Sequence, residues 1–396
     1  MKILSIETSC DETAISIIEA KGGFTKPVFK VLSHTIASQI EIHQKWGGVV
    51  PSIAKREHGK ALIPLLKTAL SEAELLKENK KIIGDKKLIK KTAVMLEREP
   101  DLSIDFLNSI PKIAIPKIDA IAVTYGPGLE PALWVGISFA RTLSLWWNKP
   151  LIPTNHMEGH IFSSLVNNEK NSQTKKEDKK TKIQFPAVAL LVSGGHTEIV
   201  LIKDWLKYKI IGRTRDDAVG EAFDKVARLL GLPYPGGPEI SKLADQYKPK
   251  NQLPKYTLPR PMHNSGDFDF SFSGLKTAVL YLIKKIEPLT DDDKKEIAHE
   301  FQNAALDVII QKTLKAVGQY KTKILIVGGG VVANKELKKR LKDELQKQHP
   351  ETRLLLPEIN LSTDNATMIA IASYFRSLTK TFKVNPKIKA EGNLSL

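Results

Sequence analysis

The sequence predicts an α/β protein of two lobes that share a duplicated unit. Three observations predict it. The 396 residues exceed what one ordinary core fills, so two domains are the natural division. Short apolar runs of strand length alternate with segments of helical periodicity. A strand–polar turn–strand pattern near the N-terminus recurs about half a chain later.

The elements follow in order. Lys2 to Thr8 reads as a buried strand, Ser9 to Thr13 as a tight polar turn and Ala14 to Ile18 as the returning strand. Ile53 to Leu75 has helical spacing through Ile53, Ala61, Leu62, Leu65, Leu66 and Ala69, with a kink expected at Pro64. Ala132 to Trp147 is apolar but broken by Arg141, which suits a buried helix and not a membrane span. Ala187 to Val192, Ser193 to His196 and Thr197 to Ile202 repeat the first strand–turn–strand layout. Glu221 to Leu230 is a helix closed by Gly231, and Asp291 to Val317 is a long helix whose acidic start suits the helix dipole. Lys323 to Val327 is a strand that runs through Gly328-Gly329-Gly330 into a helix carrying Asn334 to Leu345. The lobes are expected at 1–155 plus 365–396 and at 156–364. A lysine-rich insertion lies near 77–105, Lys77 to Lys91 being its densest part, and a surface loop lies at Glu169 to Lys182. Lys383 to Leu396 is polar and expected to be a loose tail.

Composition narrows the function. A 42% hydrophobic content suits a globular chain. Sixty Lys and Arg face 44 Asp and Glu, a formal charge of +16, which favours a polyanionic partner such as nucleic acid, although a generally lysine-rich surface would look the same. Cys10 is the sole cysteine, so no intrachain disulfide forms and a reducing compartment is expected. The apolar run Ile3 to Ile6 meets Glu7, Asp11 and Glu12 almost at once and is too short for a signal-peptide core. A cytoplasmic protein without a membrane segment is the expectation.

The chemistry concentrates in a few segments. In His156-Met157-Glu158-Gly159-His160 two histidines at i and i+4 share a helix face, the spacing that lets two imidazoles reach one metal ion; two core or surface histidines would share the spacing. The best third ligand is Asp364 in Ser362-Thr363-Asp364-Asn365, where an N-cap is the competing explanation. Two histidines and a carboxylate leave positions open for a substrate and suit iron or zinc. A zinc peptidase is disfavoured, because its general-base glutamate would stand where Met157 is. Ser193-Gly194-Gly195 after a buried strand can aim backbone N–H groups at a phosphate, or make an ordinary hairpin turn. Gly328 to Gly330 lacks both the P-loop and the dinucleotide spacing, yet sits between strand and helix as a nucleotide-holding turn does. Asp224, ahead of Pro235-Gly236-Gly237, can hold ribose hydroxyls or be an exposed helix acid. Asp11 and Glu12 can bind a cation, act as acid and base, or simply turn the chain.

In order along the chain, Ile6-Glu7-Thr8-Ser9-Cys10-Asp11-Glu12-Thr13, Trp46-Gly47-Gly48-Val49-Val50-Pro51, Gly126-Pro127-Gly128 and the His156–His160 segment resemble the bacterial tRNA N6-adenosine threonylcarbamoyltransferase family, TsaD, long misnamed a sialoglycoprotease. The resemblance continues through Leu191 to Thr197, Gly220 to Lys225, Tyr234 to Pro238, Phe270 to Lys276, Gly329 to Asn334 and Ser362 to Asn365. It spans residues 1 to about 376.

The resemblance implies an actin-like, sugar-kinase-like fold with duplicated RNase H-like lobes and the nucleotide between them. It implies that His156, His160 and Asp364 hold one divalent metal, Fe2+ first and Zn2+ second. It assigns Leu191, Val192, Ser193, Gly194, Gly195, Asp224, Gly237 and Asn334 to the adenylate substrate, threonylcarbamoyl-AMP. The acceptor would be the adenosine beside the anticodon of tRNAs reading codons that begin with A. A catalytically inactive TsaB-like paralogue and a TsaE-like ATPase are the implied partners. The proton-accepting base is not visible, and Glu12 and His196 are the candidates. An actin-like ATPase or sugar kinase would share the fold and glycine turns but has no use for the histidine pair. An inactive scaffold paralogue would not need all three ligands.

Overall fold

A buried apolar strand organises each of two sheets. The computed structural model describes residues 1–79, 86–165, 183–248 and 254–396. Its strands are β1 (Lys2–Glu7), β2 (Glu12–Lys21), β3 (Val28–Ser38), β4 (Ala120–Gly126), β5 (Leu151–Asn155), β6 (Ala187–Val192), β7 (Thr197–Asp204), β8 (Lys207–Arg213), β9 (Ile324–Gly328) and β10 (Arg353–Leu355). The first sheet has the order β3-β2-β1-β4-β5 and the second β10-β9-β6-β7-β8. In the first, β1 runs antiparallel to β2 and parallel to β4. In the second, β6 runs antiparallel to β7 and parallel to β9. Superimposing β1 on β6 therefore matches every strand, its neighbours and its direction. This is the duplication that the paired strand–turn–strand units predict.

The chain divides into unit 1, Met1–Glu41 with Val49–Lys182 and Asp364–Leu396, and unit 2, Ile42–Gly48 with Ile183–Thr363. In unit 1, Leu4, Ile6, Ile15 and Ile17 from the sheet pack on the helices Pro51–Glu72 and Glu130–Trp147. Phe106 meets Phe139 and Trp146 edge-on at centroid distances of 5.9 and 5.8 Å. In unit 2 the core forms around the 29-residue helix Asp291–Gln319, where Phe301 meets Phe223 of the helix Val219–Leu229 at 4.9 Å. The acidic start of the long helix is a capping box: Thr290 Oγ1 accepts from Asp293 N, and Asp293 accepts from Thr290 N.

Three expectations need correction. The boundary falls at 182/183 and 363/364, not at 155/156 and 364/365, because the helix His156–Phe162 packs against the helix Ala366–Ser377 and both belong with the first sheet. The segment Lys383 to Leu396 is not loose. Its backbone bonds Leu151, Tyr125 and Gly128, Ser395 O accepts from Asn155 Nδ2 at 3.1 Å, and Ile388 is buried. Polar side chains concealed this, since the attachment runs through the main chain. Gly330 does not open the following helix directly: Gly330–Ala333 forms a short 3-10 turn, and the helix proper is Lys335–Gln348. The helix at Pro51–Glu72 runs on through Pro64. Of the lysine-rich insertion, Lys86–Met95 is helical, while residues 80–85 and the expected loop at 169–182 lie outside the described residues.

Candidate metal centre and nucleotide cradle

In unit 1 the helix His156–Phe162 is buried along its whole length. Asn155 caps it, Oδ1 accepting from Met157 N at 2.8 Å. A glycine lets it reach its partner: a Cβ on Gly159 would stand 2.9 Å from Met368 Cγ and 3.0 Å from Ile369 Cδ1 of the helix Ala366–Ser377. That close approach brings Asp364, just ahead of the second helix, to both histidines. Asp364 is not the N-cap. Asn365 is, accepting from Met368 N at 3.0 Å, which leaves the neighbouring carboxylate for other work.

The three ligand atoms form a tight triangle. His156 Nε2 and His160 Nε2 are 3.1 Å apart, and Asp364 Oδ1 lies 3.3 and 3.1 Å from them. Metal bonds of about 2.0–2.2 Å would place neighbouring donors about 2.8–3.6 Å apart, from octahedral to tetrahedral geometry, and the spacing falls in the range for one first-row ion. Among the described residues, these three are the group of histidine and carboxylate side chains able to hold one. Burial alone would push the His156 ring down, but the carboxylates of Asp364 and Glu7 carry it well above its ordinary value. Asp364, despite burial, is held well below the carboxylate range by His156 and His160. His160 is pushed down by burial.

Behind His156 stands Glu7, fully buried at the end of β1. Its Oε2 lies 3.1 Å from His156 Nδ1 and accepts from Thr124 Oγ1, while Oε1 accepts from Ser9 N at 2.6 Å. Ser9 Oγ is 3.2 Å from the same imidazole nitrogen. His160 Nδ1, by contrast, is buried without a hydrogen-bond partner among the described residues. No motif in the sequence assigns Glu7 a role in the site. The signal was present: a carboxylate closing an apolar buried strand requires a partner. Glu12, the first residue of β2, is raised well above the ordinary carboxyl value by burial and then by Asp11 and Asp364. Glu158 faces elsewhere and pairs with Arg376.

In unit 2 the tight turn after β6 has Ser193 N donating to His196 O at 2.8 Å and Ser193 Oγ accepting from His196 N at 3.1 Å. Leu191 and Val192 are fully buried strand residues, so only their backbones are available to a ligand. Neighbouring elements come close through glycine: Gly220 N donates to Ser193 O at 3.3 Å, and a Cβ on Gly220 would stand 2.7 Å from that oxygen. Gly329 has φ +95° and lies against Val192 O. Gly194, Gly195, Gly237 and Gly330 are different. None has a positive φ, and a Cβ on any of them would meet nothing within 4 Å. Neither a left-handed conformation nor packing within the chain calls for glycine at these four positions.

Gly220, Gly237, Gly330 and Asn334 line a cavity of about 540 Å³, with Phe223, Ser241 and Gln302 also in its wall. Asp224 is not an exposed helix acid. Its Oδ1 accepts from Gly236 N at 2.7 Å and fixes the start of the helix Gly236–Asp245. Asn334 caps the helix Lys335–Gln348 through Leu337 N at 2.9 Å. Its Nδ2 donates to Ser241 Oγ and Gln302 Oε1, both at 2.9 Å, two residues that no sequence motif indicated. Of the two candidate bases, Glu12 is in unit 1 beside the metal group, while His196 is in unit 2 at the turn.

The family model described as TsaD, tRNA N6-adenosine threonylcarbamoyltransferase, matches residues 30–83 and 102–371, its gap falling within the lysine-rich insertion. A protein of that name from Thermosipho melanesiensis is 42% identical over 374 residues, 94% of each chain. One from Thermosipho africanus is 40% identical over 396 residues and covers both chains completely. One from Persephonella marina is 41% identical over 379 residues, 95% of this chain and 90% of that one. The crystal structure of T. kodakarensis HypF overlaps loosely, with 12% identity and a TM-score of 0.44 over 69% of this chain and 43% of that one. With a match that takes in both the histidine helix and the glycine cradle, the chain belongs to the tRNA N6-adenosine threonylcarbamoyltransferase family.

Proposed function

We propose that the chain, as a tRNA N6-adenosine threonylcarbamoyltransferase, takes its acyl group from threonylcarbamoyl-AMP. The proposed acceptor is the adenosine beside the anticodon in tRNAs that read codons starting with A. The observation that carries this reading is the His156–His160–Asp364 triangle, which a phosphoryl-transferring relative of the same fold would not need.

The exocyclic amine of adenine is a poor nucleophile because its lone pair is delocalised into the ring. The donor must therefore be an activated carbonyl with a good leaving group, and a mixed anhydride with AMP is one. The N6–carbon bond forms, the carbon–oxygen bond to phosphate breaks, and AMP departs with the electron pair. A divalent ion, iron or zinc, would polarise the threonylcarbamoyl carbonyl when bound by His156, His160 and Asp364. The backbone N–H groups of Ser193 to Gly195 are the proposed donors to the departing phosphate. Gly237 and the Asn334–Ser241–Gln302 network would border the nucleoside in the cavity they line. Glu12, its carboxyl raised by burial, is our choice over His196 for the group that receives the amine proton. A formal charge of +16 suits a partner bound mainly through phosphates.

Among the described residues no helix is long and apolar enough to cross a membrane. A tRNA substrate and one unpaired cysteine fit a cytoplasmic setting, and a TsaB-like paralogue and TsaE-like ATPase are the proposed partners. The test is mass spectrometry of nucleosides from tRNA incubated with protein, metal, partners and threonylcarbamoyl-AMP. Threonylcarbamoyladenosine at the anticodon-adjacent position is expected. Modification that requires another activated donor would refute the adenylate assignment.

A further inference from the structure

We propose that Glu7 is a positioning residue for the metal centre: its carboxylate fixes His156 as the Nδ1–H tautomer and so presents the Nε2 lone pair to the ion. This rests on the metal reading above.

Three groups that can donate surround the Glu7 carboxylate: the Ser9 amide, the Thr124 hydroxyl and the His156 ring. With the Ser9 amide donating to Oε1 and the Thr124 hydroxyl donating to Oε2, both Glu7 oxygens serve as acceptors, so the hydrogen between Oε2 and His156 Nδ1 is assigned to the imidazole. The other ring nitrogen then faces Asp364 Oδ1 and His160 Nε2. A ligating histidine characteristically donates its remote N–H to a carboxylate or carbonyl, which fixes the ring and makes it a better ligand. His156 has that support. His160 has none among the described residues, its Nδ1 being buried without a partner there. Thus the two histidines are unequal, and their difference comes from a residue at the end of β1, remote in sequence from both.

Glu7 is itself rigid. It ends a strand buried from Ile3 onward, and Thr124 on the adjacent β4 and Ser9 in the following turn hold both oxygens. Moving the carboxylate would mean breaking two hydrogen bonds inside the first sheet, so orientation is transmitted from the strand core to the ring.

The test uses full-length protein and Zn2+ with a competing chelator. Glu7→Gln keeps the shape and removes the charge, and should weaken Zn2+ binding about 10–100-fold. Ser144→Ala, which removes a half-buried hydrogen bond to Lys149 O elsewhere in unit 1, should leave it unchanged. A second readout needs no variant: 15N NMR of histidine-labelled, Zn2+-loaded protein should show His156 protonated on Nδ1 and metallated on Nε2. Wild-type affinity in a folded Glu7→Gln protein, or zinc on Nδ1, overturns the inference. If the wild type itself takes up no metal, the metal reading falls first and this inference with it.

Discussion

Gly237→Ala should raise the stability of the free protein and weaken nucleotide binding, two effects of opposite sign from one methyl group. Gly237 is the second residue of the helix Gly236–Asp245, has no positive φ, and faces open space for at least 4 Å. Alanine there strains nothing and gains about 0.5–1 kcal/mol from reduced freedom of the unfolded chain. The new methyl would occupy the cavity wall where a nucleoside is proposed to rest, and a tenfold or greater loss of AMP affinity, about 1.4 kcal/mol, is expected. The adjacent residue is the control. At Gly236 a Cβ would stand 2.5 Å from Ala227 Cβ, 2.7 Å from Asp224 Cα and 2.9 Å from Phe223 O. Gly236→Ala must push two helices apart, at about 1–3 kcal/mol, and break the Asp224–Gly236 bond, worth about 1.5–3 kcal/mol. It should therefore lose stability and binding together. Urea unfolding and calorimetric titration with AMP measure both quantities for each variant. A Gly237→Ala protein that binds AMP like the wild type would refute the claim that this glycine reserves space for the ligand.

Further outcomes are expected elsewhere. Removing Lys383 to Leu396 should cost at least about 3 kcal/mol in urea unfolding, from Ile388 burial and the backbone bonds to Leu151, Tyr125 and Gly128; a loose tail would change nothing. Asp293, held below its ordinary value by Lys255, Thr290 and Tyr256, contributes stability that is present above about pH 4 and lost as pH falls below it. Asp293→Asn should accordingly cost about 1–2 kcal/mol at pH 7, and less at progressively lower pH, as followed by denaturant titrations across that range. Affinity for tRNA should fall linearly on a log–log plot against salt concentration, whereas AMP affinity should respond far less.

Much of this arrangement was legible in the residues. Buried apolar runs such as Ile3 to Ile6 and Ala187 to Val192 announce central strands, and their repeated polar turns disclose the duplication. The histidine pair is read from spacing alone. Edge strands are harder: β8 is largely accessible and β10 has only three residues, so neither carries a period strong enough to identify. Asp364 and Asn365 both suit an N-cap, and only the geometry of the Ala366–Ser377 helix separates cap from ligand. Asp224 looks like a surface acid until the fold delivers Gly236 N to it across twelve residues. The tail is invisible for a similar reason, since main-chain hydrogen bonds leave no side-chain pattern.

The most direct measurement is single-turnover transfer of labelled threonylcarbamoyl from its adenylate to tRNA, comparing wild type with His156→Ala in the presence of partners and metal. The account predicts rapid transfer by the wild type and near-complete loss in the variant, while AMP binding by the variant stays normal. Equal transfer by both proteins would contradict a metal-assisted reaction. No transfer by either, with equal ATP hydrolysis, would replace it with a kinase-like one.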